Sequence, residues 1–264
     1  MTPLERMKLL KKKIRQGPIH IVPYEPIHDV GKEVQRPVKI MVGIVTSERH
    51  KHLLQNFMHN LFLCMKEGIH QVVVVDTSEN IEYQEKLREF GFPVIKQPWY
   101  EKVADRIEKG RNTLRKVFLK SDEEFTHFLS LDSDIMLPRG VITKYLNWDK
   151  DLVTGAYVIA QEQGQRTTCV FARYKQLYTL EAVGLSQHPQ QAWASGLGCM
   201  LIKRKVLEKI AFRNLPTAAG TLEDVLFCKD IRDAGFELWA DLSALLPHFN
   251  LGWSDLIYKE NVGK

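Results

Sequence analysis

From Val38 onward, apolar runs the length of strands alternate with amphipathic stretches the length of helices. This alternation constrains the fold more than any other feature. Lys39–Val45, Gln71–Val75 and Phe125–Leu131 are rich in Val, Ile, Leu and Phe, as strands covered on both faces are. Between them, His50–Met65 carries Leu53, Leu54, Phe57, Leu61 and Phe62 at helical spacing, and Asn80–Phe90 and Ala104–Leu119 also read as helices. Phe92–Lys96 adds a short strand. Strands alternating with helices predict a mostly parallel sheet with right-handed crossovers. Three strands end in polar runs: Thr46-Ser47-Glu48, Asp76-Thr77-Ser78 and Asp132-Ser133-Asp134. The carboxyl ends of strands are where open α/β folds bind ligands.

Asp132 and Asp134 are two residues apart, and side chains alternate faces along an extended chain, so both carboxylates project on one side. Two carboxylates that close repel unless a cation joins them. Mg²⁺ and Mn²⁺ prefer carboxylate, water and phosphate oxygens, so the pair suggests a metal–nucleotide site. Calcium binding of the EF-hand kind is excluded, because Leu137 and Thr143 stand where that loop needs Gly and Glu. A phosphatase using Asp132 as nucleophile competes weakly, since Met136 occupies the position where its motif carries Thr.

Hydrophobic residues make up 44% and charged residues 26%, which is an ordinary globular balance. No apolar run approaches the ~20 residues of a membrane span, and no secretory signal opens the chain. The four cysteines lack C-x-x-C spacing and read as reduced core thiols of a cytoplasmic protein. A net charge of +5 suits an anionic substrate or surface and gives no nucleic-acid footprint. Residues 1–37 read as an N-terminal unit. In Met1–Arg15, Leu4, Met7, Leu10 and Ile14 form a helical stripe among basic residues. Such a helix packs on the domain or lies peripherally on an anionic inner membrane face. Gly17–Pro37 reads as an extended arm.

The back half changes character. Leu152–Val158 and Cys169–Tyr174 read as strands around the polar loop QEQGQR. In Gln191–Lys203, Gly196 and Gly198 precede an apolar strand, where glycine admits either a close ligand or a simple bulge. Thr221–Gly235 reads as a helix with Thr221 as cap and Asp224 three residues on. A strand at Phe236–Ala240 and a late Pro247-His248-Phe249 follow. The front half has no G-x-G-x-x-G after the first strand, so the dinucleotide fingerprint is absent, and no G-x-x-x-x-G-K-[ST] loop, which argues against a P-loop enzyme.

Taken in order, strand-Thr46, strand-Asp76, Arg111-Asn112, LDSD, a glycine loop, LEDVLFC and a late His resemble the GT-A fold glycosyltransferases. The likeness is to the inverting, family-2-like nucleotide-sugar transferases and covers roughly 38–249. EDVLFCKDIRDAGFELWADLSALLPH carries it most specifically. It implies one GT-A domain over 38–264, with a nucleotide-binding half (38–134) and an acceptor-side half (135–264). It implies that Thr46, Ser47 and Glu48 line the nucleoside pocket and that Asp76 bonds base or ribose. Arg111 lies near the diphosphate, with Gly110 in place of the usual Ala. Asp132 and Ser133 contact the nucleotide. Asp132, Asp134 and His248 hold Mn²⁺ or Mg²⁺. Trp193, Gly196, Leu197 and Gly198 face donor sugar and acceptor. Asp224 is the general base, and Glu223 assists. Ser-Glu-Arg after the first strand departs from the family's aromatic-Asn pair.

The resemblance implies transfer of a sugar from a nucleoside-diphosphate sugar, UDP favoured over GDP, to a hydroxyl on a glycan, lipid-linked or protein acceptor. One base opposite the leaving group implies inversion. Trp193, Trp239 and Trp253 could stack on sugar faces, but core or rim packing is the commoner role. The alternatives are a metal-dependent phosphotransferase and a silent nucleotide-sugar-binding relative. Intact Asp132, Asp134, Asp224 and His248 speak against the latter.

Overall fold

In a computed structural model of the chain, the described residues are 38–121, 125–160, 166–174, 176–214 and 223–249. The basic segment 1–15, the arm 17–37, Thr221, Trp253 and most of QEQGQR lie outside them.

The front half follows the alternation. Strands β1 (Ile40–Thr46), β2 (Ile69–Asp76), β3 (Val94–Lys96) and β4 (His127–Leu131) pair in parallel in the order β3-β2-β1-β4. Helices α1 (Leu54–Cys64), α2 (Glu82–Arg88) and α3 (Val103–Lys120) supply the crossovers. The register aligns Thr46 with Asp76 and Asp76 with Lys96, so the polar ends of three strands lie side by side. β1 and β2 are buried almost throughout, which is why they read as continuous Val and Ile.

The back half extends the same sheet. After α4 (Val141–Trp148) come β5 (Leu152–Ala160), β6 (Arg166–Thr168), β7 (Val170–Arg173), β8 (Gln176–Leu177), β9 (Gln190–Ala192), β10 (Ala194–Ser195) and β11 (Cys199–Lys203). Helices α5 (Arg204–Lys209) and α6 (Glu223–Asp233) and strand β12 (Leu238–Leu246) follow. The nine-stranded sheet runs β3-β2-β1-β4-β11-β5-β12-β9, with β6 on β5. β11 lies antiparallel between β4 and β5, and β12 is parallel to β5. A small second sheet orders β10-β7-β8. The result is an α/β fold of the GT-A class, parallel at the front and mixed at the back.

Two sequence expectations shift. The helix expected from His50 begins as a 3₁₀ turn at Glu48–His50, with α1 starting at Leu54. Phe62, expected inward, is 45% exposed and stacks on Phe92 instead. Leu54, Phe57, Met58 and Leu61 already form the buried stripe, and the next residue is turned about 100° off it. All four cysteines are buried and free. Among the described residues no helix is long and apolar enough to cross a membrane.

Candidate active site at the carboxyl ends of β1, β2 and β4

The acidic loop after β4 is fixed by backbone bonds from two sides. Asp132 N–H donates to Gly198 O at 2.8 Å, and Ile135 N–H closes the turn onto Asp132 O. Residues 247–249 run antiparallel beside it: Met136 N–H donates to Pro247 O and Phe249 N–H to Asp134 O. That pairing brings a histidine more than 100 residues downstream onto the loop. His248 Nε2 lies 3.3 Å from Asp134 Oδ2. Its Nδ1 lies 2.8 Å from Val158 O, which can only accept, so the proton sits on Nδ1.

A neutral His248 therefore aims a lone pair at a carboxylate, a contact that needs a proton or a cation between the two. Burial works against the charged imidazole, but the Asp134 carboxylate outweighs it and raises the His248 pKa. Burial likewise opposes ionisation of Asp134, yet His248 and then His50 hold its carboxyl below the usual range. Among the described residues, no three His, Cys, Asp or Glu side chains are closed around one point as metal ligands. The donor set itself suits a borderline divalent cation: one buried carboxylate and one imidazole anchored through its second nitrogen, as metal-ligating histidines are.

Asp132 is tied to α3 through one of its oxygens. Its Oδ1 accepts from Arg111 Nη2 at 3.2 Å. Arg111, on α3, is only 6% exposed. Its Nη1 donates to Ser130 Oγ and Leu197 O, and its Nε faces Glu223 Oε1 at 3.6 Å. The arginine expected beside a diphosphate thus lies in the interior, joining the acidic loop to the start of α6. Gly110 lets α3 approach β1, since a methyl there would stand 2.9 Å from Val45 Cγ1. Asn112 is structural: it exchanges hydrogen bonds with the backbone of Phe212.

Glu223 is 4% exposed and Asp224 partly exposed at the first turn of α6. Burial pushes the Glu223 carboxyl up to about 7, against the pull of Arg111 and with the push of Asp224. Burial also raises Asp224, whose Oδ1 accepts from Val225 N–H at 2.7 Å. An acid raised toward neutrality suits proton transfer better than a fully exposed carboxylate.

At the carboxyl end of β1, Thr46 Oγ1 lies 2.8 Å from Ser133 Oγ and 3.2 Å from Tyr83 Oη. Asp76 is fully buried and accepts from Ser78 N–H and Lys96 Nζ. Ser78 Oγ accepts from Glu48 N–H, while the Glu48 side chain is exposed and Ser47 half-buried.

The glycine loop is tight for an internal reason. A methyl on Gly196 would stand 2.2 Å from Tyr157 Oη, and one on Gly198 would meet Ile135, Tyr157 and Asp132 within 3.0 Å. Leu197 is buried, and its carbonyl takes Ser130 Oγ–H at 2.8 Å. Trp193 lies between the ring edges of Phe171 and Tyr174 with the Arg232 guanidinium 4.1 Å over it, so it is packed rather than open. Trp239 carries Lys150 over its face at 4.3 Å.

Two residues that sequence reading passed over belong to this site. The Tyr157 and His248 rings meet edge-to-face with centroids 5.0 Å apart, and the Tyr157 hydroxyl accepts Gly198 N–H. His50 bonds Ser133 Oγ through Nδ1 at 2.7 Å. The signal for His50 was its place just after the first strand's carboxyl end; Tyr157, inside an apolar strand, gave none.

No protein-family model and no curated protein sequence matches the chain. Solved structures do. The crystal structure of A197 from STIV aligns over 80% of this chain and 86% of its own, at 18% identity and TM-score 0.46. That of GalNAc-T7 with UDP, GalNAc and Mn²⁺ aligns over 81% of this chain at 12% identity and TM-score 0.57. The aligned region spans 44% of the GalNAc-T7 chain, and at that identity the likeness is one of fold.

Proposed function

We propose that the protein is a divalent-cation-dependent glycosyltransferase moving a sugar from a nucleoside-diphosphate sugar to a hydroxyl acceptor. The observation that carries this is the meeting of Asp134 and His248 beside the polar ends of β1 and β2. The fold is shared with a structure that holds UDP, GalNAc and Mn²⁺, and a uridine nucleotide is the first donor to test. Asp134 and His248 would hold Mn²⁺ or Mg²⁺, which when bound neutralises charge developing on the leaving diphosphate. Thr46 and Asp76 frame the nucleoside end. Arg111 holds Asp132 and Glu223 in register. Asp224 takes the proton of the acceptor hydroxyl, and one base on one face gives inversion. The acceptor is a glycan, lipid-linked or protein hydroxyl.

Calorimetry with UDP and GDP, with and without Mn²⁺, tests the reading. Binding should require the cation and weaken at least about tenfold in Asp134→Asn. Equal binding in chelator and in Asp134→Asn would overturn it. Phosphate release from a phosphomonoester, abolished in Asp132→Asn, would favour the phosphotransferase instead.

A further inference from the structure

We infer that His50 is a third protein donor of the cation site, making it a two-imidazole, one-carboxylate site that binds Mn²⁺ before any nucleotide arrives. The inference rests on the cation-dependent reading above and goes beyond it in ligand, selectivity and order of binding.

The geometry of His50 mirrors that of His248. Each imidazole has Nδ1 engaged, by Ser133 Oγ at 2.7 Å in one and by Val158 O at 2.8 Å in the other. Each then presents Nε2 to the same atom, Asp134 Oδ2, at 3.9 Å for His50 and 3.3 Å for His248. Ser133 Oγ can accept from His50 Nδ1–H, as Val158 O does from His248. An imidazole that donates through Nδ1 presents an Nε2 lone pair, which is how proteins orient it toward a metal. The anchor is itself held, because Ser133 Oγ lies 2.8 Å from Thr46 Oγ1 and Thr46 bonds Tyr83. The middle residue of the acidic loop thus serves as support for His50.

Two donors about 2.1 Å from one cation at a right angle stand about 3 Å apart. His248 and Asp134 are near that spacing already. His50 is about 1 Å short of it, and its side chain is 32% exposed, so the ring has room to turn inward. Asp134 is only 6% exposed and has no such freedom. His50 is then the donor that closes. Two imidazoles and a carboxylate favour Mn²⁺, Co²⁺ or Zn²⁺ over Mg²⁺, which prefers all-oxygen octahedra.

Mn²⁺ titration of the full chain without nucleotide, read by electron paramagnetic resonance, tests this. Wild type should bind Mn²⁺, His50→Gln should bind it at least about tenfold more weakly, and the exposed neighbour variant His52→Gln should match wild type. Pulsed measurements on the bound ion should count two coupled nitrogens in wild type and one in His50→Gln, a change that a merely supporting residue would not produce. Excess Mg²⁺ should displace Mn²⁺ more readily from His50→Gln than from wild type. One coupled nitrogen in wild type, or unchanged Mn²⁺ affinity in His50→Gln, would overturn the role of His50. Mn²⁺-dependent UDP binding by that same variant would show that the transferase reading survives. Absence of Mn²⁺ binding by wild type, with UDP present or not, would defeat both.

Discussion

Gly196→Ala should destabilise the protein through Tyr157. The backbone at Gly196 is not left-handed, so alanine meets no conformational barrier of its own. Its methyl would lie 2.2 Å from Tyr157 Oη and 3.2 Å from Cζ. Tyr157 cannot easily withdraw. It is 6% exposed, its hydroxyl receives Gly198 N–H, and its ring sits against His248. Overpacking of this kind costs about 1–3 kcal/mol, and the stiffer unfolded chain returns at most about 1 kcal/mol. A net loss of about 1–2 kcal/mol lowers the melting temperature by roughly 2–8 °C for a chain of this length. Tyr157→Phe removes the clashing oxygen, so Gly196→Ala should cost less in that background. The double-mutant cycle should show coupling of at least about 0.5 kcal/mol. Urea unfolding of the four proteins measures this. Additive effects would refute the packing argument. A fully stable Gly196→Ala protein that had lost nucleoside-diphosphate affinity would mean that the glycine is kept for the approach of a ligand.

Glu223 and Asp224 give the remaining predictions. Glu223 ionises at 4.5 when free and near 7 in the folded protein, so the folded state binds the proton more tightly. The resulting stability is present below about pH 4.5 and is lost as pH rises toward 7, at about 1.4 kcal/mol per unit of displacement. Glu223→Gln should flatten that fall, leaving the same-signed share of Asp224; parallel stability–pH curves would refute it. Asp224→Asn should keep its fold and its nucleotide affinity yet lose about 10²-fold or more in turnover. Near-normal turnover, or a product of retained anomeric configuration, would remove Asp224 as base.

What was legible in the sequence was what local chemistry dictates. The front strands announce themselves by Val and Ile runs because they are covered on both faces. The acidic loop does so by ending one of them, and His248 by following a strand. What stayed hidden depends on distant contacts. The antiparallel entry of β11 between β4 and β5 is a choice of edge partner, which periodicity does not encode. α4 is only eight residues long and starts from Gly140 in a left-handed conformation, with Gly140 N–H bonded to Glu67 across the fold. The glycines before β11 left ligand approach and a bulge equally open in the sequence, because the tyrosine that fills the space beside them lies about 40 residues upstream. Phe62 misled because an aromatic was assumed to point inward when the stripe was already full.

Arg111 shows why the site cannot be divided at residue 134 as the chain order suggests. Its guanidinium reaches β4 through Ser130, the acidic loop through Asp132, the glycine loop through Leu197 and α6 through Glu223. A lysine could not replace it, because one ammonium does not fork toward several partners. Removing it would take away the charge that holds the Glu223 carboxyl down, and would leave Asp132 without its guanidinium partner. The acidic loop after β4 and the pair of acids on α6 are therefore coupled through one side chain. A displacement of α6 must act on Asp132 unless this contact breaks. That coupling is electrostatic as well as mechanical, because the charge that steadies Asp132 also opposes the rise of Glu223.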